Sequence, residues 1–250
     1  MAPSTIYESF HRSLDALPYS AVPNDYRTIS PSALSTVQED APTAFIVESP
    51  AILINAARSK LSAHEGSTES ACLSSKIAIS SIRKPILLAA GNLLCRGEVT
   101  SNGGCRTDVR WVYRNGSQMT TIAILEVKNT KVLHAADFTP ASATVNNARA
   151  KRDAAQGQLH HTHFARNACW LSKQAKKYYR NTTTPDVALF DWGAMFIFDF
   201  SGMNENALNP VLARGIWFSE SDSGPSQGIS FRMVLLGFIV RALRRRNLIS

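Results

Sequence analysis

The chain has 250 residues, of which 44% are hydrophobic and 18% are charged, which suits one globular domain with a substantial core and is cramped for two. Its formal net charge of +8 favours polyanionic partners such as nucleic acid or an acidic membrane surface, although many basic proteins bind neither. The four cysteines include no CxxC pair, so the sequence lacks the pattern of a disulfide framework or of a zinc site.

The hydrophobic segments of the sequence bear on the cellular compartment of the protein. Residues 1–17 are polar and lack the apolar run of a secretory signal peptide. No run of about 18 apolar residues is present, so we expect no transmembrane helix and no membrane partner. We therefore expect an intracellular protein of the nucleus or cytoplasm that is not secreted. Its oligomeric state stays open, with a homodimer as one option.

Composition divides the chain into two regions. Residues 1–43 are rich in Ser, Pro and Thr and form a predicted N-terminal extension that is partly irregular, with a short helix near Tyr7–Leu17. Residues 44–250 form a predicted single domain, whose first strand covers Ala44–Val47. The pair Ser49-Pro50 then indicates an N-cap and a first helical residue.

The elements that follow are predicted from hydrophobic periodicity and turn residues. Two helices are expected, to about residue 61 and over 72–94, and then a β-hairpin with strands Thr107–Tyr113 and Thr120–Lys128. Residues 136–153 mix loop and helix. The remaining elements are a helix with a basic face over Gln156–Tyr179, strands over Val187–Asp191, Met195–Phe200 and Val211–Phe218, and a final helix over Phe231–Leu243. The sequence thus predicts an α/β fold with a mixed central sheet flanked by helices.

The second hairpin strand carries two charges at the end of an apolar run. Because side chains alternate along a strand, Glu126 and Lys128 lie on the same face as Ile124. Buried strands rarely end in charge unless the charge is paired or used. An acid and a lysine in this position therefore predict either a surface ion pair or a functional site.

The loop between the strands decides whether Asp108 joins this face. A strict two-residue turn at Asn115-Gly116 puts Asp108 opposite Ala123, on the face away from Glu126. A three-residue loop or a single bulge reverses the parity and puts Asp108 opposite Ile124, diagonal to Glu126. Two carboxylates in that arrangement suit one Mg²⁺ or Mn²⁺ ion, so the metal chemistry predicts an odd-length loop or a bulge.

These residues resemble a known signature. Asp108 followed by Glu126-Val-Lys128 is similar to the motif of the PD-(D/E)XK, or restriction-endonuclease-like, nuclease superfamily, and Gln174 with Tyr178 resembles the Q-x-x-x-Y motif of its RecB-like members. The sequence around the motifs is similar to that of uncharacterised fungal members of the superfamily. The likeness covers about residues 98–200, with Thr107 in place of the signature's proline and Glu-x-Lys in place of the Asp-x-Lys usual in RecB relatives.

The resemblance implies a restriction-endonuclease-like core of αβββαβ type that hydrolyses phosphodiester bonds in nucleic acid, DNA before RNA. It implies that Asp108 and Glu126 bind the metal and that Lys128 activates water. Glu98 would be a third acid, supplied by the first core helix. Gln174 and Tyr178 would line the active site and touch the substrate.

Basic residues near these motifs allow two interpretations. The cations that interleave with Gln174 and Tyr178 suit a phosphate-backbone contact or an ordinary solvated face; they are Lys173, Lys176, Lys177 and Arg180. His160, His161 and His163 lack a nearby acid or cysteine that would complete a metal site, so they predict a solvated or nucleic-acid-facing patch. The final arginines, 244–246, could bind nucleic acid or serve in localisation.

Three functions remain open from the sequence. The first is a metal-dependent nuclease. The second is a catalytically silent nuclease-fold module that binds nucleic acid or protein. The third is an unrelated α/β interaction protein with accidental motifs, which gains if Asp108 and Glu126 lie on opposite faces of the sheet.

Overall fold

The computed structural model describes residues 4–5, 26–31, 34–61, 68–69, 93–100, 106–202, 212–219 and 229–249. The helix predicted near Tyr7–Leu17 and the first part of the helix predicted over 72–94 lie outside these residues. Within them, the chain forms an α/β fold in which a mixed central sheet is flanked by helices.

Two sheets are formed by the described strands. Their bounds are β1 Ser4–Thr5, β2 Ala44–Val47, β3 Thr68–Glu69, β4 Leu93–Thr100, β5 Arg106–Asn115, β6 Gln118–Val127, β7 Ser142–Ala143, β8 Asp186–Phe190, β9 Met195–Asp199 and β10 Leu212–Phe218. Strands β1 and β3 pair with each other, and the others form one sheet of eight strands in the order β4-β5-β6-β8-β9-β10-β2-β7. The sheet is mixed because β6 pairs with β8, β10 with β2 and β2 with β7 in parallel, whereas the remaining neighbours are antiparallel.

The helices cover both faces of the large sheet. Their bounds are α1 Leu34–Val37, α2 Ala51–Leu61, α3 Ala135–Phe138, α4 Ala148–Ala154, α5 Arg166–Thr182 and α6 Phe231–Arg245. Residues of α2 and α6 join one hydrophobic cluster, and residues of α3 and α5 join a second cluster on the other face. No described helix combines the length and apolar character needed to cross a bilayer.

The connection from β6 to β8 fixes the place of α5. These two strands are parallel, with Ile124 opposite Val187 and Glu126 opposite Leu189. Parallel neighbours cannot be joined by a tight hairpin, so the chain must cross over one face of the sheet between them. Helix α5 lies in this crossover and is therefore held above the end of β6.

The predicted hairpin and its irregularity are both present. Asn115 pairs with Gln118 around a loop of Gly116 and Ser117, with Gly116 at a positive φ of 59°. The register then shifts by one residue between Trp111 and Val112, as in a β-bulge. The predicted bulge is confirmed.

The strand partner predicted for Asp108 is wrong by two positions. The loop is Gly116-Ser117, one residue later than the Asn115-Gly116 turn that the sequence suggested, and this moves every strand partner by two positions. As a result Arg110, not Asp108, pairs with Ile124, and Val109 pairs with Leu125. The next pair of opposite positions along the two strands is Asp108 and Glu126. The parity argument was right, since the two acids share a face, but they lie directly opposite rather than diagonal.

Two other predictions need correction. Leu93 and Leu94 belong to strand β4 and not to the end of a helix, and they pair with Tyr113 and Val112. The long helix predicted over Gln156–Tyr179 begins only at Arg166. Before it the chain forms short 3₁₀ turns and then joins the β2 region, where the His163 amide donates to the Thr43 carbonyl oxygen at 2.9 Å. That tertiary bond has no signal in local periodicity.

Helices α2 and α6 approach closely at Gly237. A Cβ placed on Gly237 would lie 1.9 Å from the carbonyl oxygen of Leu53 and 2.8 Å from its Cα. Because these are backbone atoms, the helices must separate to accept a methyl group. We expect Gly237→Ala to lower the unfolding free energy by about 3 kcal/mol, the upper end of ordinary overpacking.

Urea unfolding followed by tryptophan fluorescence measures this change. Gly157→Ala is the matched control, since a Cβ there meets nothing within 4 Å. Equal midpoints for the two variants would contradict the close approach.

Four charged side chains tie α6 to the ends of β8 and β9. Arg241 and Arg245 both bond to the Asp186 carboxylate, at 2.9 and 2.8 Å, and Arg245 also bonds to Asp199. Asp186 is 1% exposed and Asp199 6%. Burial raises the pKa of Asp186 to about 6 against the pull of the two arginines. Burial acts the same way on Asp199, but Arg245 and Ser201 outweigh it and lower that pKa.

Candidate active site

Glu126 lies at the end of β6 on the face covered by α5. Its side chain is buried, with the residue 6% exposed, and both carboxylate oxygens accept hydrogen bonds. Oε1 accepts from Lys128 Nζ at 2.7 Å and from Gln174 Nε2 at 2.9 Å. Oε2 lies 2.7 Å from the Tyr178 hydroxyl. The structure thus brings four of the predicted site residues into one hydrogen-bonded group.

Helix α5 supplies two of these partners from one face. Gln174 and Tyr178 are four residues apart, which places both side chains on the same side of the helix. The Gln174 amide also bonds to the Tyr178 hydroxyl at 2.6 Å, and that hydroxyl lies 3.0 Å from the carbonyl oxygen of Arg106. Tyr178 is only 2% exposed. Its position therefore suits it to orient Glu126 and to tie β5 to α5, rather than to touch a substrate.

Asp108 is the more accessible of the two acids. It is half-buried, and its Oδ2 accepts from the backbone N–H of Val127 at 2.8 Å. None of the described residues donates a hydrogen bond to its Oδ1. Residues directly opposite on antiparallel strands have Cβ atoms about 4.5–5.5 Å apart. One carboxylate oxygen thus remains open beside Glu126.

Lys128 follows directly after β6 and lies on the solvent side of the group around Glu126. Its ammonium pairs with Glu126 at 2.7 Å while 18% of the side chain is exposed. Its backbone N–H donates to the Phe190 carbonyl oxygen at 2.7 Å, which continues the β6–β8 pairing beyond the strand end. Lys128 is therefore fixed at its backbone and reaches the cluster from the solvent side.

Glu98 is not on a helix. It lies in strand β4, between Gly97, which pairs with Val109, and Val99, which pairs with Thr107. The prediction that the first core helix supplies this acid is therefore wrong about the element. The side chain of Glu98 is outside the described part of the structure, so its predicted role as a ligand stays a prediction.

The described carboxylates fit a hard divalent cation in number and kind. No group of three or more His, Cys, Asp or Glu side chains in the described residues is arranged to hold a metal. Mg²⁺, however, usually keeps several waters and needs only one or two protein carboxylates. Asp108 with an open oxygen, beside Glu126 with its counter-ion Lys128, meets that smaller requirement.

The basic row of α5 lies against the segment before β2. Lys173 Nζ donates to the Val37 carbonyl oxygen at 3.2 Å, and Glu39 pairs with Lys176 at 3.7 Å and with Arg180 at 3.1 Å. Lys173 and Lys177 are both buried. The nucleic-acid contact predicted for these four residues stays a prediction, but three of them have a structural partner in residues 34–39.

Asn167 links part of the predicted N-terminal extension to the domain. This residue belongs to none of the motifs in the sequence. Asn167 is 1% exposed, and its side-chain amide accepts from the Ile29 N–H at 3.0 Å. It also donates to the carbonyl oxygens of Arg27 and Val132 at 2.6 and 3.0 Å. Asn167 falls inside the helix predicted over Gln156–Tyr179, and nothing local indicates these distant partners.

The histidines near α5 do not share a metal-binding arrangement. His163 Nε2 lies 2.8 Å from the Lys151 carbonyl oxygen, and His161 Nδ1 lies 3.1 Å from that of Gln156. The His160 ring lies 5.4 Å from the ring of Trp170.

Comparisons of the chain with protein-family models, with curated proteins and with solved structures find no match.

Proposed function

We propose that the protein is a metal-dependent nuclease of the PD-(D/E)XK type, which hydrolyses phosphodiester bonds in nucleic acid, with DNA the first substrate to test. The observation that carries the proposal is the group around Glu126. Five residues spread over some 70 positions of sequence meet at one end of the sheet. The resemblance named all five, so their meeting supports a common site.

The order of the elements supports a restriction-endonuclease-like core. Among the described elements, helix α2, strands β4, β5 and β6, helix α5 and strand β8 follow one another in the αβββαβ order, with other described elements between them. The proposal assigns this core to the predicted domain of residues 44–250. Asp108 and Glu126 share a face of the sheet, which argues against an unrelated α/β protein whose motifs are accidental.

Asp108 and Glu126 are the residues that would hold Mg²⁺ or Mn²⁺. Such an ion, when bound, lowers the pKa of water and offsets negative charge on phosphate. Lys128 can donate a hydrogen bond to a phosphate oxygen, or hold a water by its ammonium, because its side chain reaches solvent. Tyr178 and Gln174 keep the Glu126 carboxylate in a fixed orientation.

One observation favours a second candidate, a catalytically silent module that binds nucleic acid or protein. The Glu126 carboxylate already has three hydrogen-bond partners, and its Oε1 has two of them. An acid held this fully can serve as a structural link between β6 and α5. Nucleic-acid binding without any cleavage would favour this candidate.

Nicking of a supercoiled plasmid tests the proposal. The purified full chain should convert it to open-circular and linear forms with Mg²⁺, and should not do so with excess EDTA. Lys128→Met should reduce the rate about 100-fold, as for loss of a proton-transfer or charge-stabilising group. Lys131→Met is the control, since Lys131 is exposed and lies three residues further along. Equal loss in the two variants would remove Lys128 from the site.

A further inference from the structure

A cavity of about 490 Å³ lies beside the first turns of α5. Its volume is within the range of roughly 300–1,000 Å³ that small-molecule sites occupy. The lining includes the cation Arg166, the imidazoles of His160 and His163 and the indole of Trp170, and it includes no acid.

The cationic side of the cavity suits a phosphate. Arg166 is exposed, lies 5.6 Å from the centre of the Tyr26 ring, and has no recorded ion pair with a carboxylate of the described residues. A guanidinium presents several donors in a plane that matches phosphate oxygens. His163 uses Nε2 toward the Lys151 carbonyl oxygen, which leaves Nδ1 as a further polar atom.

The aromatic rings of the lining suit a planar base. Trp170 is half-buried, and its ring is 5.4 Å from the His160 ring at an angle of 56°. Nucleic-acid-binding proteins use such aromatic side chains as platforms for bases, because every base has an aromatic face. Anion donors and a stacking surface within one cavity are the features that a nucleotide needs.

The position of the cavity links it to the proposed site. Trp170 precedes Gln174 by four residues, so the two side chains are neighbours on one face of α5, about 6 Å apart along the axis. The backbone is also unusual here, since His160 and Arg166 have positive φ angles of 59° and 41°. Non-glycine residues in this region are strained, and such residues concentrate at binding sites.

We propose that this cavity binds a nucleotide, with the phosphate held by Arg166 and the base against Trp170 and His160. The nucleotide can be a free mononucleotide or one unit of a nucleic-acid strand. The inference goes beyond the proposed nuclease function, since binding here needs neither metal nor cleavage.

Calorimetric titration of the full chain in EDTA distinguishes the two sources. The probes are adenosine 5′-monophosphate and a single-stranded oligodeoxyadenylate. Arg166→Gln should weaken binding of the preferred probe about tenfold, as for loss of a charge-assisted phosphate contact. Arg149→Gln, which removes the same charge from an exposed position on α4, should change it less than about twofold. Adenosine without its phosphate should bind more weakly than the monophosphate.

Loss of monophosphate binding in Arg166→Gln identifies a free-nucleotide site. Loss confined to the oligonucleotide identifies a subsite for the strand. Trp170→Leu, with unfolding midpoints for every variant, gives a second reading if Arg166→Gln folds poorly. Wild-type protein that binds neither probe, or Arg166 and Arg149 variants that bind alike, would overturn the inference. Because cleavage is not measured, these outcomes are independent of the plasmid assay.

Discussion

Glu126→Gln should reduce plasmid nicking in Mg²⁺ about 100-fold or more, with the fold retained. The change preserves the shape of the side chain and removes only its charge. The neutral amide would lose the ion pair with Lys128, which is 2.7 Å long, and would be a far poorer ligand for a divalent cation. Removal of one electrostatic or acid–base group from a preorganised site typically costs a factor of about 10²–10⁴ in rate.

The matched control for this variant is Asp153→Asn. Asp153 is an exposed acid that pairs with its neighbour Arg152, so the same change of charge should leave the nicking rate within about twofold. Circular dichroism and the urea midpoint check that both variants fold. A Glu126→Gln protein that nicks at the wild-type rate would show that the cleavage comes from elsewhere. A wild type that binds DNA but never cuts it would favour the silent module.

The hairpin illustrates how much of the site was predictable from the sequence. Alternation along a strand put Glu126 and Lys128 on one face without knowledge of the fold. The requirement that Asp108 share that face then predicted a bulge, and a bulge is present between Trp111 and Val112. The pairing of Asp108 was wrong because the two-residue loop begins at Gly116 and not at Asn115, and a loop displaced by one residue shifts the register by two. The alternation of residues along the strands does not distinguish these two loop positions, because a shift of two keeps the same face.

Residues whose partners are distant in sequence could not be placed in this way. The regular spacing of lysines on α5 predicted a basic face, but Glu39, more than 130 residues earlier, pairs with two of its cations. The start of α5 was misplaced for the same reason, since the Thr162 hydroxyl donates to the Pro42 carbonyl oxygen at 2.6 Å and holds the chain extended there. Local periodicity contains no information about such bonds.

Strand β4 was missed because its sequence, Leu-Leu-Cys-Arg-Gly-Glu-Val-Thr, alternates weakly. Edge strands face one neighbour only and need less apolar character than central ones. Its partner β5 is an apolar strand that would otherwise leave its hydrogen-bonding edge unpaired. Strand β4 thus forms because it pairs with the edge of β5, more than because of the residues of β4 itself.

The second large effect is expected at the far end of the sheet, where Arg245→Met should lower the unfolding free energy by about 3–5 kcal/mol near neutral pH. Arg245 joins Asp186 and Asp199, which occupy opposite positions on β8 and β9. Without it, two buried carboxylates face each other with Arg241 as their main counter-ion. Removing one partner of a buried ion pair leaves a charge uncompensated, and costs of this size follow.

The same variant should respond to pH in a defined direction. In the wild type the pKa of Asp186 is raised from 3.8 to about 6, so the folded state holds its proton more tightly than the unfolded state between these values. Stability from this group therefore falls as the pH rises through that window. Loss of the Arg245 charge raises the pKa of Asp186 further and removes the main cause that lowers the pKa of Asp199. The penalty should therefore be largest near pH 7.5 and smaller near pH 5, where a proton relieves the repulsion. Urea unfolding at both pH values, with exposed Arg244→Met as control, measures it. A deficit that is equal at the two pH values would mean that Arg245 acts by packing and not by its charge.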